Sequence, residues 1–211
     1  MTEKSHACPE GSGAPEVSRR RIVVGMTGAT GAPLGLRLLE RLAADPEVET
    51  HLVLTPWARA TIELETGRTA RDLAALADVV HHPEDQGASI SSGSFRADAM
   101  VVVPCSMKTL AGIRAGYASG LVQRAADVAL KENRPLVLVP RETPLSPVHL
   151  ENMLDLARMG VRIVPPMPAF YHRPREVDDI VDHIVTRVLD QLGLPDPAAR
   201  RWNGMRAART A

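Results

Sequence analysis

Apolar residues follow two rhythms along this chain. Short, nearly continuous runs rich in β-branched residues stand at 21–26, 48–54, 79–80, 99–104, 135–140 and 161–164, the pattern of strands buried on both faces. Between them apolar positions recur every three or four residues, as on helices that cover a sheet. Leu34, Leu36, Leu38, Leu39 and Leu42 keep helical spacing until Asp45-Pro46 ends it. Thr55-Pro56 closes the second run and predicts a helix from Pro56 to about Glu65, because proline fits the first helical turn. Further helices are predicted over 69–77, 106–114, 121–132, 146–159 and 175–192. From His81 to Phe95 the chain is polar and rich in glycine and serine, which predicts a long functional loop. Strands alternating with helices imply parallel pairing. The predicted fold is therefore an α/β three-layer αβα sandwich with a Rossmann-like parallel sheet.

The 211 residues suffice for one such domain, and no repeat or composition shift marks a boundary inside it. The domain is expected over 21–202, between a disordered, polar N-terminal tail at 1–20 and a short C-terminal tail at 203–211. Lys and Arg together number 25, as do Asp and Glu, so no general attraction to nucleic acid or anionic membranes is expected. Aromatics at 3% are too few for the stacking platforms of single-strand binders. No run approaches the roughly 18 apolar residues of a membrane span, and the first residues lack the apolar centre of a secretory signal. A cytoplasmic protein is expected. The two cysteines, Cys8 and Cys105, form no CxxC pair, so neither a disulfide framework nor a cysteine metal site is predicted.

Ligands of open parallel sheets bind beyond the carboxyl ends of the strands. Gly25-Met26-Thr27-Gly28-Ala29-Thr30-Gly31-Ala32 follows the first strand, and its glycines allow close backbone approach to a ligand at a helix start. Its spacing departs from the dinucleotide and Walker patterns. Thr55 stands where a dinucleotide fold wants an acidic residue, which favours a mononucleotide. Ser106-Met107-Lys108-Thr109 places hydroxyls and a cation after the 99–104 strand, with Cys105 expected to be a packed residue rather than a nucleophile. The densest polar constellation comes later: Arg124, Lys131, Arg141, Glu142, Tyr171 and Arg187. Arg124 and Lys131 lie seven apart, on one helix face. Guanidinium and ammonium groups without metal ligands suit a phosphate monoester. Asp178-Asp179-Ile180-Val181-Asp182 imitates the DDxxD magnesium motif of prenyl synthases, but acidic residues in a first helical turn complement the dipole anyway.

GATGAPLGLRLLERL, SSGSF, MVVVPCSMKTLAGI, RAADVALKENRPLVLVPRETPLSPVHLENML, PPMPAFYHRP and DHIVTRVLDQLG, in that order, resemble the flavin prenyltransferases of the UbiX/Pad type over residues 21–202. The resemblance implies a homo-oligomeric flavoprotein, a dodecamer built of trimers with the site shared between subunits. It implies transfer of a dimethylallyl group from dimethylallyl phosphate to N5 and C6 of reduced FMN, without a metal. The prenylated FMN would serve a UbiD-type decarboxylase. It also implies that Gly28, Ala29, Thr30, Thr55, Ser106, Met107, Lys108 and Thr109 contact FMN, with Arg124 near its phosphate. Lys131, Arg141, Glu142, Tyr171 and Arg187 would hold the prenyl phosphate, Glu65 would be an active-site carboxylate, and Trp202 would cover the site. Glu142, Glu65 and Lys131 are the expected catalytic groups, with Glu142 as acid and base.

Two features depart from the family pattern. Thr30 replaces the usual serine of the glycine loop, and the 83–88 loop lacks an aromatic residue. Two other activities share the fold or the ligand. Flavin-dependent cysteine decarboxylases use a histidine in the first half of the chain, where this sequence offers His51, His81 and His82. A carrier of prenylated FMN would need nearly the same binding residues.

Overall fold

The computed structural model describes residues 19–197 together with 199, 201, 202, 204 and 205. Most of both expected tails therefore lies outside the described residues. The chain runs β1 (Arg20–Met26), α1 (Ala32–Ala43), β2 (Val48–Leu54), α2 (Pro56–Thr66), α3 (Ala70–Ala74) and β3 (Val79–His81). After a 3-10 turn at Ser89–Ser91 come β4 (Ala99–Cys105), α4 (Met107–Arg114), α5 (Leu121–Lys131) and β5 (Leu136–Pro140). The chain then continues through α6 (Pro147–Arg158), β6 (Arg162–Ile163) and α7 (Val177–Leu192). The strands form one parallel sheet in the order β3-β2-β1-β4-β5-β6. The connection reverses direction between β1 and β4, which makes the crevice at their carboxyl ends the ligand position of such sheets.

Alternation along the central strands builds two cores. Ile22, Val24 and Met26 of β1 face α1, α2 and α7, together with Val101, Val103, Val137 and Val139. Val23, Met100, Val102, Leu136 and Leu138 face α4, α5 and α6. Each central strand is thus covered on both sides, which explains its uninterrupted apolar run.

The structure corrects the expected element limits at several points. The helix expected over 69–77 is one short piece, Ala70–Ala74, capped by Thr69, whose hydroxyl accepts from the Asp72 N–H while Asp72 accepts from the Thr69 N–H. The final strand is reduced to Arg162–Ile163, because only two of its residues pair with the sheet, against Val137 and Leu138 of β5. The polar 81–95 loop is anchored by arginines of the α5 region. Arg124 Nε donates to Ser91 O at 3.1 Å, while Arg134 donates to Phe95 O and Gly93 O, each at 2.7 Å.

The acidic DDxxD stretch is used in helix assembly. Asp179 accepts from the backbone N–H groups of Arg175 and Glu176 at the start of α7. Asp178 and Asp182 pair with Arg37 of α1, tying the two helices together.

Candidate active site at the carboxyl ends of the central strands

Thr27 stitches the crevice together. Its buried hydroxyl donates to Pro104 O and accepts from the Ser106 N–H, both at 2.8 Å, so the first turn beyond β1 is tied to the end of β4. Sequence reasoning quoted this residue without singling it out. Its signal was a lone hydroxyl between two glycines. In Thr27→Val the shape survives but the part-buried Ser106 N–H loses its partner, while the Pro104 carbonyl keeps the Thr27 N–H. A cost of about 2 kcal/mol is expected, read as a lower urea midpoint at fixed protein concentration, together with weaker FMN binding.

The glycines beside Thr27 serve packing as well as ligand approach. A methyl group at Gly28 would sit 2.3 Å from the Cβ of Trp57, so the loop lies directly on the first turn of α2. Gly31 adopts a left-handed φ of 112° at the N-cap of α1. The N–H groups of Gly31 and Ala32 at the start of α1 donate to Glu65 Oε2, each at 2.8 Å. The Glu65 carboxylate thus occupies the positive end of α1 and fixes the loop from below.

The neighbouring hydroxyls double as helix caps. Thr55 accepts from the Ala58 N–H at the start of α2, and Ser106 accepts from the Thr109 N–H at the start of α4. Ser106 Oγ also lies 3.1 Å from Thr109 Oγ1. A capping threonine keeps its own proton free to donate outward. The side chains of Thr30 and Lys108 make no hydrogen bond or ion pair among the described residues, while Ala29 and Met107 beside them are buried and apolar. Backbone, free donors and apolar surface at one sheet crevice fit a planar, anionic mononucleotide such as FMN.

Cys105 is fully buried, and burial pushes its thiol up to about 12, so no thiolate nucleophile forms at neutral pH. His51 lies inside β2 rather than at its end. Its ring nitrogens meet His81 Nε2 at 3.0 Å and Glu49 Oε1 at 2.8 Å, and Phe95 packs edge-on against the ring. It is a structural histidine held inside the sheet, not a residue that ends a strand at the crevice.

The expected phosphate ligands fall into separate places. The Arg141 N–H donates to Cys105 O at 3.2 Å, so Arg141 and Glu142 leave β5 beside Ser106 and the crevice. Their side chains are exposed, and the Arg141 guanidinium has no partner among the described residues. Lys131 ends α5 and precedes β5, whereas Arg141 follows β5. A five-residue strand separates the two by roughly 17 Å. Arg124 and Lys131 do share one face of α5: Arg124 bonds Ser91, and Lys131 Nζ lies close to Gly93 and pairs with Glu132. Arg187 and Tyr171 belong to the opposite layer. Arg187 projects from α7 beside a cleft of about 480 Å³ that it lines with Arg162, Met167, His183 and Gln191. Tyr171 packs edge-on against Trp202 at 5.5 Å. One chain therefore does not gather these residues around a single phosphate.

The flavoprotein family model matches residues 12–189. A probable UbiX-like flavin prenyltransferase of Streptomyces sp. (strain D7) is 75% identical over 90% of this chain and 96% of its own length. This chain belongs to the UbiX-like flavin prenyltransferases. Among solved structures, the dodecameric FMN-dependent UbiX-like decarboxylase of Escherichia coli O157:H7 is 71% identical with a TM-score of 0.86, covering 87% of this chain and all (100%) of that one. AnUbiX (PadA1), solved with FMN and dimethylallyl pyrophosphate, is 55% identical with a TM-score of 0.86, covering 88% of this chain and 98% of that one. The six-stranded parallel sheet and flanking helices are those expected from the hydrophobic pattern.

Proposed function

We infer that this protein transfers a dimethylallyl group from dimethylallyl phosphate to N5 and C6 of reduced FMN, bound in the β1–β4 crevice. The observation that carries this reading is the exit of Arg141 and Glu142 from β5 directly beside that crevice. A phosphate held by Arg141 there would lie next to the flavin, with a titratable carboxylate one residue away. FMN supplies the electron-rich acceptor atoms. The protein's task is to hold both reactants, exclude water and neutralise the leaving phosphate.

Lys131, Tyr171 and Arg187 would complete the phosphate site from neighbouring subunits. Helix α6 supports such assembly, since it buries only Leu156 among its own residues and leaves Val148, Leu150 and Leu154 at least half exposed. A dodecamer, like that of the Escherichia coli relative, is the proposed state. The product would pass to a UbiD-type decarboxylase. Among the described residues no helix is long and apolar enough to cross a membrane, and a cytoplasmic location is proposed.

The test is anaerobic incubation of the FMN-loaded protein, reduced with dithionite, with dimethylallyl phosphate and, separately, the pyrophosphate. Mass spectrometry then weighs the released flavin. Addition of one five-carbon unit is the expected result. Unchanged flavin beside an active UbiX control would replace this reading by that of a carrier.

A further inference from the structure

Arg187 and the C-terminal stretch around Trp202 converge on one carboxylate. Asp190 lies one turn beyond Arg187 on α7 and accepts from Arg187 Nη1 at 2.6 Å. It also accepts from Arg201 Nη1 at 2.9 Å and Nη2 at 2.8 Å. Its side chain is only 12% exposed, against 51% for Arg187 and 43% for Arg201. The Arg201 hydrogen bond holds the Asp190 carboxyl below its ordinary range, ahead of the opposing push of burial. Two guanidinium groups on one carboxylate leave the cluster net positive, so its attraction for an anion survives while its geometry is fixed.

The residue after Arg201 extends this arrangement to Tyr171. Trp202 meets the Tyr171 ring at 5.5 Å and 71°, in an edge contact. His183 of α7 meets another side of the same ring at 5.5 Å and 85°. His172 stacks on His183 at 4.7 Å, and both its ring nitrogens are buried without a hydrogen-bond partner among the described residues. Burial first, then His172 and Arg187, hold the His183 imidazole towards its neutral form, which suits an apolar contact with Tyr171. Arg201 and Trp202 belong to neither helix nor strand. Side-chain contacts of this kind, rather than a backbone ladder, are what hold them in place.

We propose that Asp190 is a positioning residue of the donor-phosphate site: it aims the Arg187 guanidinium and, through Arg201, keeps Trp202 against Tyr171. This rests on the reading of Tyr171 and Arg187 as phosphate ligands. A carboxylate shared by a ligand arginine and a covering segment makes the two features interdependent. Loss of the carboxylate frees both arginines at once, because Oδ2 of Asp190 receives both.

The experiment uses FMN-loaded protein carrying Trp57→Phe, so that Trp202 is the only remaining tryptophan of the two. Acrylamide quenching then reports exposure of Trp202, while steady-state turnover gives kcat and the KM for dimethylallyl phosphate. In Asp190→Asn the donor KM is expected to rise about tenfold, the loss of one well-oriented charged hydrogen-bond pair, with a smaller change in kcat. Quenching of Trp202 rises in the same variant, FMN affinity stays constant, and Asp190→Glu restores part of both signals. Arg201→Gln removes only the covering half and is expected to raise quenching more than KM. An unchanged donor KM in Asp190→Asn, beside a raised one in Arg187→Gln, overturns the proposal and leaves the phosphate reading intact. An unchanged KM in Arg187→Gln means that the phosphate reading itself fails and takes the proposal with it. Unchanged Trp202 quenching in both Asp190→Asn and Arg201→Gln overturns the link to the covering segment.

Discussion

Glu142→Gln should retain FMN with unaltered affinity and lose prenylated product by about a hundredfold or more, the usual scale of a removed general acid or base. The two side chains have nearly the same volume. The Glu142 carboxylate accepts from the Thr143 N–H at 3.0 Å, and the amide oxygen of glutamine can accept the same bond, so the 141–146 loop keeps its anchor. What glutamine cannot do is take up and return a proton. Ring closure on the flavin requires a proton delivered to the prenyl alkene and another removed from the ring, close to the departing phosphate. Glu142 is exposed in the single chain and leaves β5 beside the crevice, a position from which it would reach both reactants under the proposed function. Single-turnover mass spectrometry measures the loss, and an unshifted thermal midpoint separates it from a folding defect. Wild-type turnover in this variant would remove Glu142 from the chemistry and point to the phosphate as its own acid and base.

Most of the fold was legible because its causes are local. Ile22–Met26 and Ala99–Cys105 are buried on both faces, so their strands appear as unbroken apolar runs. The ends of β6 and α3 were not legible, because a two-residue strand depends on its neighbour rather than on its own pattern. The crevice could be placed from glycines and hydroxyls following strands. Their division of labour could not, since it depends on contacts far apart in sequence. Gly28 is small because Trp57 lies on it, and the α1 N-terminus is capped by Glu65 from 33 and 34 positions further along the chain. Asp190 escaped notice although its signal was present. An arginine and an aspartate three apart on a helix, followed by a second arginine, invite a shared carboxylate.

Arg141→Ala and Arg187→Ala should each abolish most activity alone, yet recover a substantial part of it when the two chains are assembled together. The reason lies in the sheet. Arg141 stands at the carboxyl end of β5, whereas Arg187 projects from α7, which covers one face of the sheet and whose Gln191 carbonyl accepts from Arg162 at the start of β6. Lys131, on the other face and at the other end of β5, is separated from both. If one phosphate is to touch these groups, they must come from different copies of the chain, as closed symmetric assemblies allow. In an equal, randomly mixed oligomer about a quarter of the sites then receive an intact half from each contributing subunit, and activity should return to that order. Mixing the purified single-variant oligomers without subunit exchange should restore nothing, because each keeps a defect in every site. Co-expression with two affinity tags isolates the mixed species, and product formation per flavin is the readout. Mixed oligomers as inactive as two inactive parents would place Arg141 and Arg187 in the same chain's site. An Arg187→Ala variant that stays active on its own would place Arg187 outside the site altogether.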